Sequence, residues 1–139
     1  MKHENSGACK KCVEIIYRFP NPHKDLVLWF ISLQAKHPSV HVACFGRGKV
    51  EQEEAYHRGA SRAHFGQSAH NYNAACDLWI LSDEGKYTLP ADWFREVLAP
   101  ALPAWITWGG TWKSFRELPH VELIDWRERV KRGELKAVE

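Results

Sequence analysis

Apolar residues change spacing several times along the chain, and each change predicts an element. From Asp25 to His37, Leu26, Trp29, Phe30 and Leu33 recur with the period of one helix face, and Pro38 ends the pattern. Val40 to Phe45 is β-branched at two positions and predicts a strand; Gly46 to Gly48 then forces a turn, and Val50 to Arg58 predicts a short helix. Gly59 to Ala69 is small and polar, a loop, whereas Tyr72 to Leu81 is apolar enough for a buried strand apart from Asp77, a carboxylate that needs a partner there. Ser82 to Gly85 reads as a turn, Pro90 to Leu102 as a helix, and Trp105 to Trp108 and Pro119 to Leu123 as short strands. Asp125 to Arg132 closes as a helix with Gly133 in the stop position. Helices and short strands without a βαβ rhythm predict an α+β fold, a small antiparallel sheet with packed helices, in a single domain.

Composition narrows the function classes more than the fold. Of 139 residues, 45% are hydrophobic and 26% charged, the balance of a chain that buries a core in water. A net charge of +2 with no long basic run gives no footprint for nucleic acid, which is excluded as the expected partner. The start, Met1 to Cys12, lacks an apolar signal core, and no stretch approaches the roughly 20 apolar residues of a membrane span, so the expectation is a chain made in the cytoplasm without membrane insertion. Seven tryptophans suit both a core and a groove that grips an extended substrate. Cys9, Cys12, Cys44 and Cys76 are expected as free thiols. Cys9-Lys10-Lys11-Cys12 has the spacing of half a zinc site or of a redox pair, but no second such pair follows and the polar lead around it is expected to fray.

The chemistry concentrates in SAHNYNAACD, Ser68 to Asp77. A turn after His70 followed by an extended run brings His70 and Asp77 to one point, as two ligands of a zinc ion would be; a catalytic zinc takes three protein ligands and keeps an open position. Candidates for the third are His3, His23, His37, His41, His57, His64 and His120. His120 stands out because Glu117-Leu118-Pro119-His120 puts a carboxylate and an imidazole at one cleft, where the carboxylate can take a proton from attacking water and return it to a leaving amine. Spacing alone leaves open that His70 is a loop residue, Asp77 a turn residue and His120 surface. Cys76 adjoins Asp77 and points to the other face of a regular strand, hence into the core.

SAHNYNAACD followed by WGGTWKSFRELPHVEL resembles the M15 peptidases, zinc enzymes of cell-wall metabolism, and within them the phage endolysin and L-alanyl-D-glutamate endopeptidase branch. The likeness runs from about Val42 to Leu123. It implies His70, Asp77 and His120 as zinc ligands and Glu117 as the catalytic carboxylate, with Glu122 as rival base or as support behind the histidine. Arg47 to Tyr56, RGKVEQEEAY, resembles the family's upstream pattern and makes Arg47 and Gln52 candidates for binding substrate, a guanidinium being suited to a D-glutamate carboxylate or a scissile carbonyl. Ser68 matches a family serine and either touches substrate or caps the loop. Trp108, Gly109, Gly110 and Trp112 match the family's W-G-G-x-W, in which the glycines permit close backbone approach.

Two departures stand out: Asn73 occupies a position where the family often has glycine, and the base is glutamate rather than aspartate. Asparagine also tolerates the left-handed backbone that such a turn needs. The resemblance implies a zinc metallopeptidase acting on the peptide stem of peptidoglycan at the L-Ala-D-Glu bond, a monomeric phage-type endolysin held in the cytoplasm until released to the wall. A D-Ala-D-Ala carboxypeptidase or dipeptidase, and a non-catalytic zinc-containing wall-binding domain, are the alternatives. Residues 1–24 are expected as a polar lead in or loosely packed on the domain, 25–139 as the catalytic domain, with no separate wall-binding domain.

Overall fold

In the computed structural model, which describes residues 8–139, five α-helices and five strands follow one another as α1 (Lys10–Ile16), α2 (Lys24–Lys36), β1 (Val40–Cys44), α3 (Lys49–His57), β2 (Ala75–Leu81), β3 (Tyr87–Thr88), α4 (Ala91–Trp93), β4 (Ile106–Trp108), β5 (His120–Leu123) and α5 (Trp126–Lys131). The sheet is antiparallel in the order β1-β2-β5-β4, with β3 paired to the far end of β2 through Ile80 and Thr88. Strand alternation sends Val40, Val42 and Leu78 inward, where they meet Leu26 and Phe30 of α2; together with Phe45, Phe94 and Leu98 these fully buried side chains form the core. Asp25 in the first turn of α2 and Lys36 in its last complement the helix dipole, and His37 and Pro38 end it where the apolar period stops.

Two segments depart from expectation. Residues 9–16 do not fray: Cys9 caps α1 through its sulfur, which accepts from the Cys12 amide, and Cys12 and Ile16 are buried against the sheet. Met1 to Gly7, which include His3, lie outside the described residues. The helix expected from Pro90 to Leu102 is broken into α4, a π-helical turn over Phe94–Leu98 and a 3-10 turn over Ala99–Ala101. Pro100 explains the break, because it offers no amide hydrogen and its ring crowds the carbonyl one turn back.

The chain end returns to the centre of the fold. After Gly133 turns the backbone at φ 76°, the Val138 amide donates to the Asn71 carbonyl at 2.8 Å and Glu139 accepts from the Lys49 amide at 2.8 Å, capping α3. Among the described residues, no helix is long and apolar enough to cross a membrane.

Candidate metal centre and catalytic cleft

Sheet register places the first pair. Asp77 of β2 stands directly opposite His120 of β5, so their side chains leave the sheet on one face, as cross-strand partners do. His70 arrives from the other direction, on a 3-10 turn over Ala69–Tyr72 that ends at Asn73 in the left-handed conformation, φ 55° and ψ 34°. That reversal folds His70 back over the start of β2. Asn73 thus takes the backbone geometry that glycine usually supplies, and its side-chain amide ties the turn to the Pro20 carbonyl at 2.9 Å.

One oxygen joins the three side chains. Asp77 Oδ1 lies 3.1 Å from His70 Nε2 and 2.9 Å from His120 Nδ1. The far nitrogen of each ring is already committed: His70 Nδ1 faces the Phe45 carbonyl at 2.7 Å, and His120 Nε2 faces Glu122 at 2.8 Å. Glu122 in turn accepts from the Trp126 indole at 3.0 Å, so the His120 ring is held by a carboxylate that is itself held. Glu117 Oε1 approaches His120 Nδ1 to 3.5 Å, and Arg47 Nη2 lies 3.7 Å from Asp77 Oδ2.

Electrostatics follow from this crowding. Burial opposes the charge on Asp77, yet the His70 charge and hydrogen bonds from both imidazoles outweigh it and hold the carboxyl well below its usual range. Burial likewise opposes protonation of the two histidines, but Asp77 raises His70 well above its ordinary value, and Asp77 with Glu122 raises His120 to about 9. Glu117 is raised, chiefly by burial. Protons on the imidazoles therefore occupy the place where a cation would balance Asp77.

The donor set fits such a cation. Two imidazole nitrogens whose opposite nitrogens are engaged, with a carboxylate between them, are the chemistry of a zinc site backed by supporting hydrogen bonds. Cys44 is also close, and with His70 and Asp77 forms a compact donor group. Its sulfur, however, approaches His70 on the Nδ1 side at 3.8 Å, the side taken by the Phe45 carbonyl, whereas His120 Nδ1 meets the same Asp77 oxygen as His70 Nε2.

The group opens on a cleft of about 920 Å³ whose walls include Arg47, Ser68, Trp112, Glu117 and His120. Residues 61–123 match the family model described as Peptidase M15_4, D-alanyl-D-alanine carboxypeptidase. That stretch, just under half of the chain, resembles the M15 peptidases. The chain is 33% identical over 95 residues to the peptidoglycan L-alanyl-D-glutamate endopeptidase CwlK of Bacillus subtilis, a match covering 56% of this chain and 56% of that protein, so it spans little more than half of that relative's length. The fold is similar to that of the L-Ala D-Glu endopeptidase ChiX of Serratia marcescens, with a TM-score of 0.66, 22% identity and coverage of 86% of this chain and 90% of that one.

Around this cleft the remaining expected residues take distinct places. Arg47 and Ser68 line it. Gln52, expected at the substrate, is fully buried beneath it: its carbonyl oxygen accepts from Arg47 at 3.2 Å and from Asn71 at 3.2 Å, and its amide donates to Ser61 and Ala63. With its donors and acceptor occupied by the protein, Gln52 sets the Arg47 guanidinium rather than facing the cleft. The Ser68 hydroxyl accepts from the His70 amide at 3.3 Å, capping the turn that carries the histidine. Cys76 is wholly buried, as its place beside Asp77 on a strand implied.

Sequence reasoning missed Asn71. This fully buried amide accepts from the Gly66 and Ser68 backbone and donates to the Arg47 carbonyl and to Gln52, so one side chain fastens both walls of the cleft. A polar residue next to a candidate ligand was the available signal. Gly109 and Gly110 carry out the close approach expected of them: a Cβ on Gly109 would strike the Glu117 backbone and one on Gly110 the Trp108 ring. Trp108 packs below and donates to the Leu118 carbonyl at 2.7 Å, while Trp112 lies against the His120 ring with centroids 5.2 Å apart.

Proposed function

We propose that the chain is a zinc metallopeptidase that hydrolyses the peptide stem of bacterial peptidoglycan, at the L-Ala-D-Glu bond, as a phage-type endolysin that acts on the wall after release from the cytoplasm. The observation that carries the reading is the convergence of His70, Asp77 and His120 on one oxygen with Glu117 beside them, at the floor of an open cleft. His70, Asp77 and His120 would hold the zinc, whose Lewis acidity there polarises a carbonyl and makes water more acidic. Glu117, its pKa raised by burial, is the group that takes a proton from the attacking water and returns it to the departing amine. Arg47, fixed by Gln52, points its guanidinium toward Asp77 and the cleft, where it can pair with a substrate carboxylate or the developing oxyanion. Ser68 keeps the His70 turn in place and offers a hydroxyl to the cleft wall. Glu122 fixes the His120 ring through Nε2, which assigns it support rather than proton transfer.

The rim supports an anionic substrate. Arg58, Arg62, Lys113, Arg116 and Arg127 surround the cleft along with Arg47, and stem peptides carry carboxylates. The activities of the similar proteins, both L-Ala-D-Glu endopeptidases, favour the L-Ala-D-Glu bond. A second reading, D-Ala-D-Ala carboxypeptidase or dipeptidase, is favoured by the description of the matching family model. Mass spectrometry of digested peptidoglycan separates the two: new N-terminal D-glutamate supports the first, released D-alanine the second. Zinc-loaded protein that cuts neither bond would leave a non-catalytic wall-binding domain as the better account.

A further inference from the structure

A second cluster of metal-type donors lies away from the cleft, where α1 crosses β1. Cys9 Sγ and Cys12 Sγ each lie 3.5 Å from His41 Nδ1, and the three donor atoms are within 4.8 Å of one another. A tetrahedral zinc with Zn–S of about 2.3 Å and Zn–N of about 2.0 Å requires a sulfur-to-nitrogen edge of about 3.5 Å, which both pairs meet. We propose that Cys9, Cys12 and His41 bind a second zinc ion, distinct from the cleft, that staples the first helix to the edge strand of the sheet.

The surroundings are built for sulfur anions. Cys9 Sγ receives the Cys12 amide at 3.4 Å and the Gln34 side-chain amide at 3.7 Å; Cys12 Sγ receives the Val42 amide at 3.4 Å and Gln34 Nε2 at 3.5 Å. Gln34 is itself buried, and its oxygen accepts from the Cys9 amide at 2.8 Å, so one side chain supports both sulfurs and the backbone that carries them. N–H groups directed at sulfur favour thiolate, and a held ligand shell is what metal sites add behind their ligands. His41 turns Nδ1 toward both sulfurs, so one ring nitrogen faces the point that all three donors share. Two sulfurs and an imidazole select zinc over magnesium or calcium, and water fills the fourth position beside the half-exposed Cys9 and His41.

Metal content tests the site without reference to activity. Protein prepared under reductant with zinc should hold two equivalents by elemental mass spectrometry, the C9S/C12S variant one, and the D77A/H120A variant one. With cobalt in place of zinc, a sulfur-to-cobalt charge-transfer band should persist in D77A/H120A and vanish in C9S/C12S. Wild type with no cobalt–sulfur band, C9S/C12S holding as much metal as wild type, a cobalt–sulfur band that survives in C9S/C12S, or a Cys9–Cys12 disulfide in reductant-prepared protein would each overturn the proposal. If C9S/C12S fails to fold, wild type decides: Cys9 and Cys12 should resist alkylation with zinc and react after chelation, and equal reactivity in both states refutes the site.

Discussion

The β1–β2 ladder carries a donor cluster at each end, and the two are surrounded by opposite chemistry. Near His41, two sulfurs sit among N–H donors, and among the described residues no carboxylate is a hydrogen-bond partner of either. Near Asp77, two imidazoles share a carboxylate, two more carboxylates stand within 3.5 Å of His120, and an arginine approaches the shared one. Among the described residues the first set has no carboxylate beside it to act on an attacking water, and it suits a structural ion. The second has a spare, half-buried carboxylate, Glu117, facing open space, which suits hydrolysis. Metal-ligand residue types alone do not separate these roles; the charge and hydrogen-bond character of the next layer does.

The largest expected effect tests whether Glu117 is that base. Glu117→Gln keeps the shape and removes the proton acceptor, so turnover of a purified stem peptide should fall on the order of 10²- to 10⁴-fold while zinc content stays unchanged. Full activity in the variant would remove the distinction between the clusters that rests on Glu117. The same change should leave the Cys9, Cys12 and His41 cluster unaltered.

Protonation gives the next contrast, of about a hundredfold. Metal must displace the proton that His120, raised to about 9 by Asp77 and Glu122, holds at neutral pH, so apparent zinc affinity of the cleft should climb about tenfold per pH unit between pH 6 and 8 for that proton alone. Competition titrations with a chromophoric chelator would measure it, and a flat profile would contradict the charge balance described for Asp77. The linkage also fixes a sign for the metal-free protein. A folded-state imidazole raised above its ordinary value stabilises fully below about pH 6.5 and loses that contribution as pH rises through about 9. Chelated protein should therefore melt lower across that window, and zinc-loaded protein should not follow it.

Glu122→Gln probes the support behind His120. Its carboxylate joins the His120 ring to the Trp126 indole, and loss of such a partner typically costs 10- to 100-fold in metal affinity. Isothermal titration should place the loss at the cleft alone. An unchanged affinity would mean that the His120 ring is held by Asp77 and packing without help.

Much of this contrast was legible in the sequence, but unevenly. His70, Asp77, Glu117 and His120 sit in quotable motifs, and strand alternation correctly sent Cys76 inward. The helix over Asp25–His37 emerged because its apolar period is long and ends in proline. The sulfur cluster was hidden because its third donor, His41, is 29 residues from Cys12 and meets it only through tertiary packing of α1 on β1. At seven residues, less than two full turns, α1 is too short for its apolar positions to establish a period. Gln52 misled for a related reason: motif position shows that a residue matters near a site, whereas hydrogen-bond geometry shows whether it faces substrate or another side chain.

The smallest expected effect separates the position of the base from its chemistry. Gly109 accepts the Glu117 amide at its carbonyl, 3.1 Å away, and its bare Cα allows the Glu117 backbone to pass where a methyl group would collide with it. Gly109→Ala must push the Glu117 segment outward, and forced shifts of this kind cost about 1–3 kcal/mol. No ligand touches Gly109, so zinc affinity at the cleft should hold within about threefold, an interaction change below 1 kcal/mol. Turnover should fall about tenfold, because a base must reach within hydrogen-bond distance of the proton it takes. The ratio of these two measurements is the informative quantity. Loss of metal and activity together would mean that the W-G-G segment supports the whole centre, whereas loss of turnover alone means that these glycines exist to place one carboxylate.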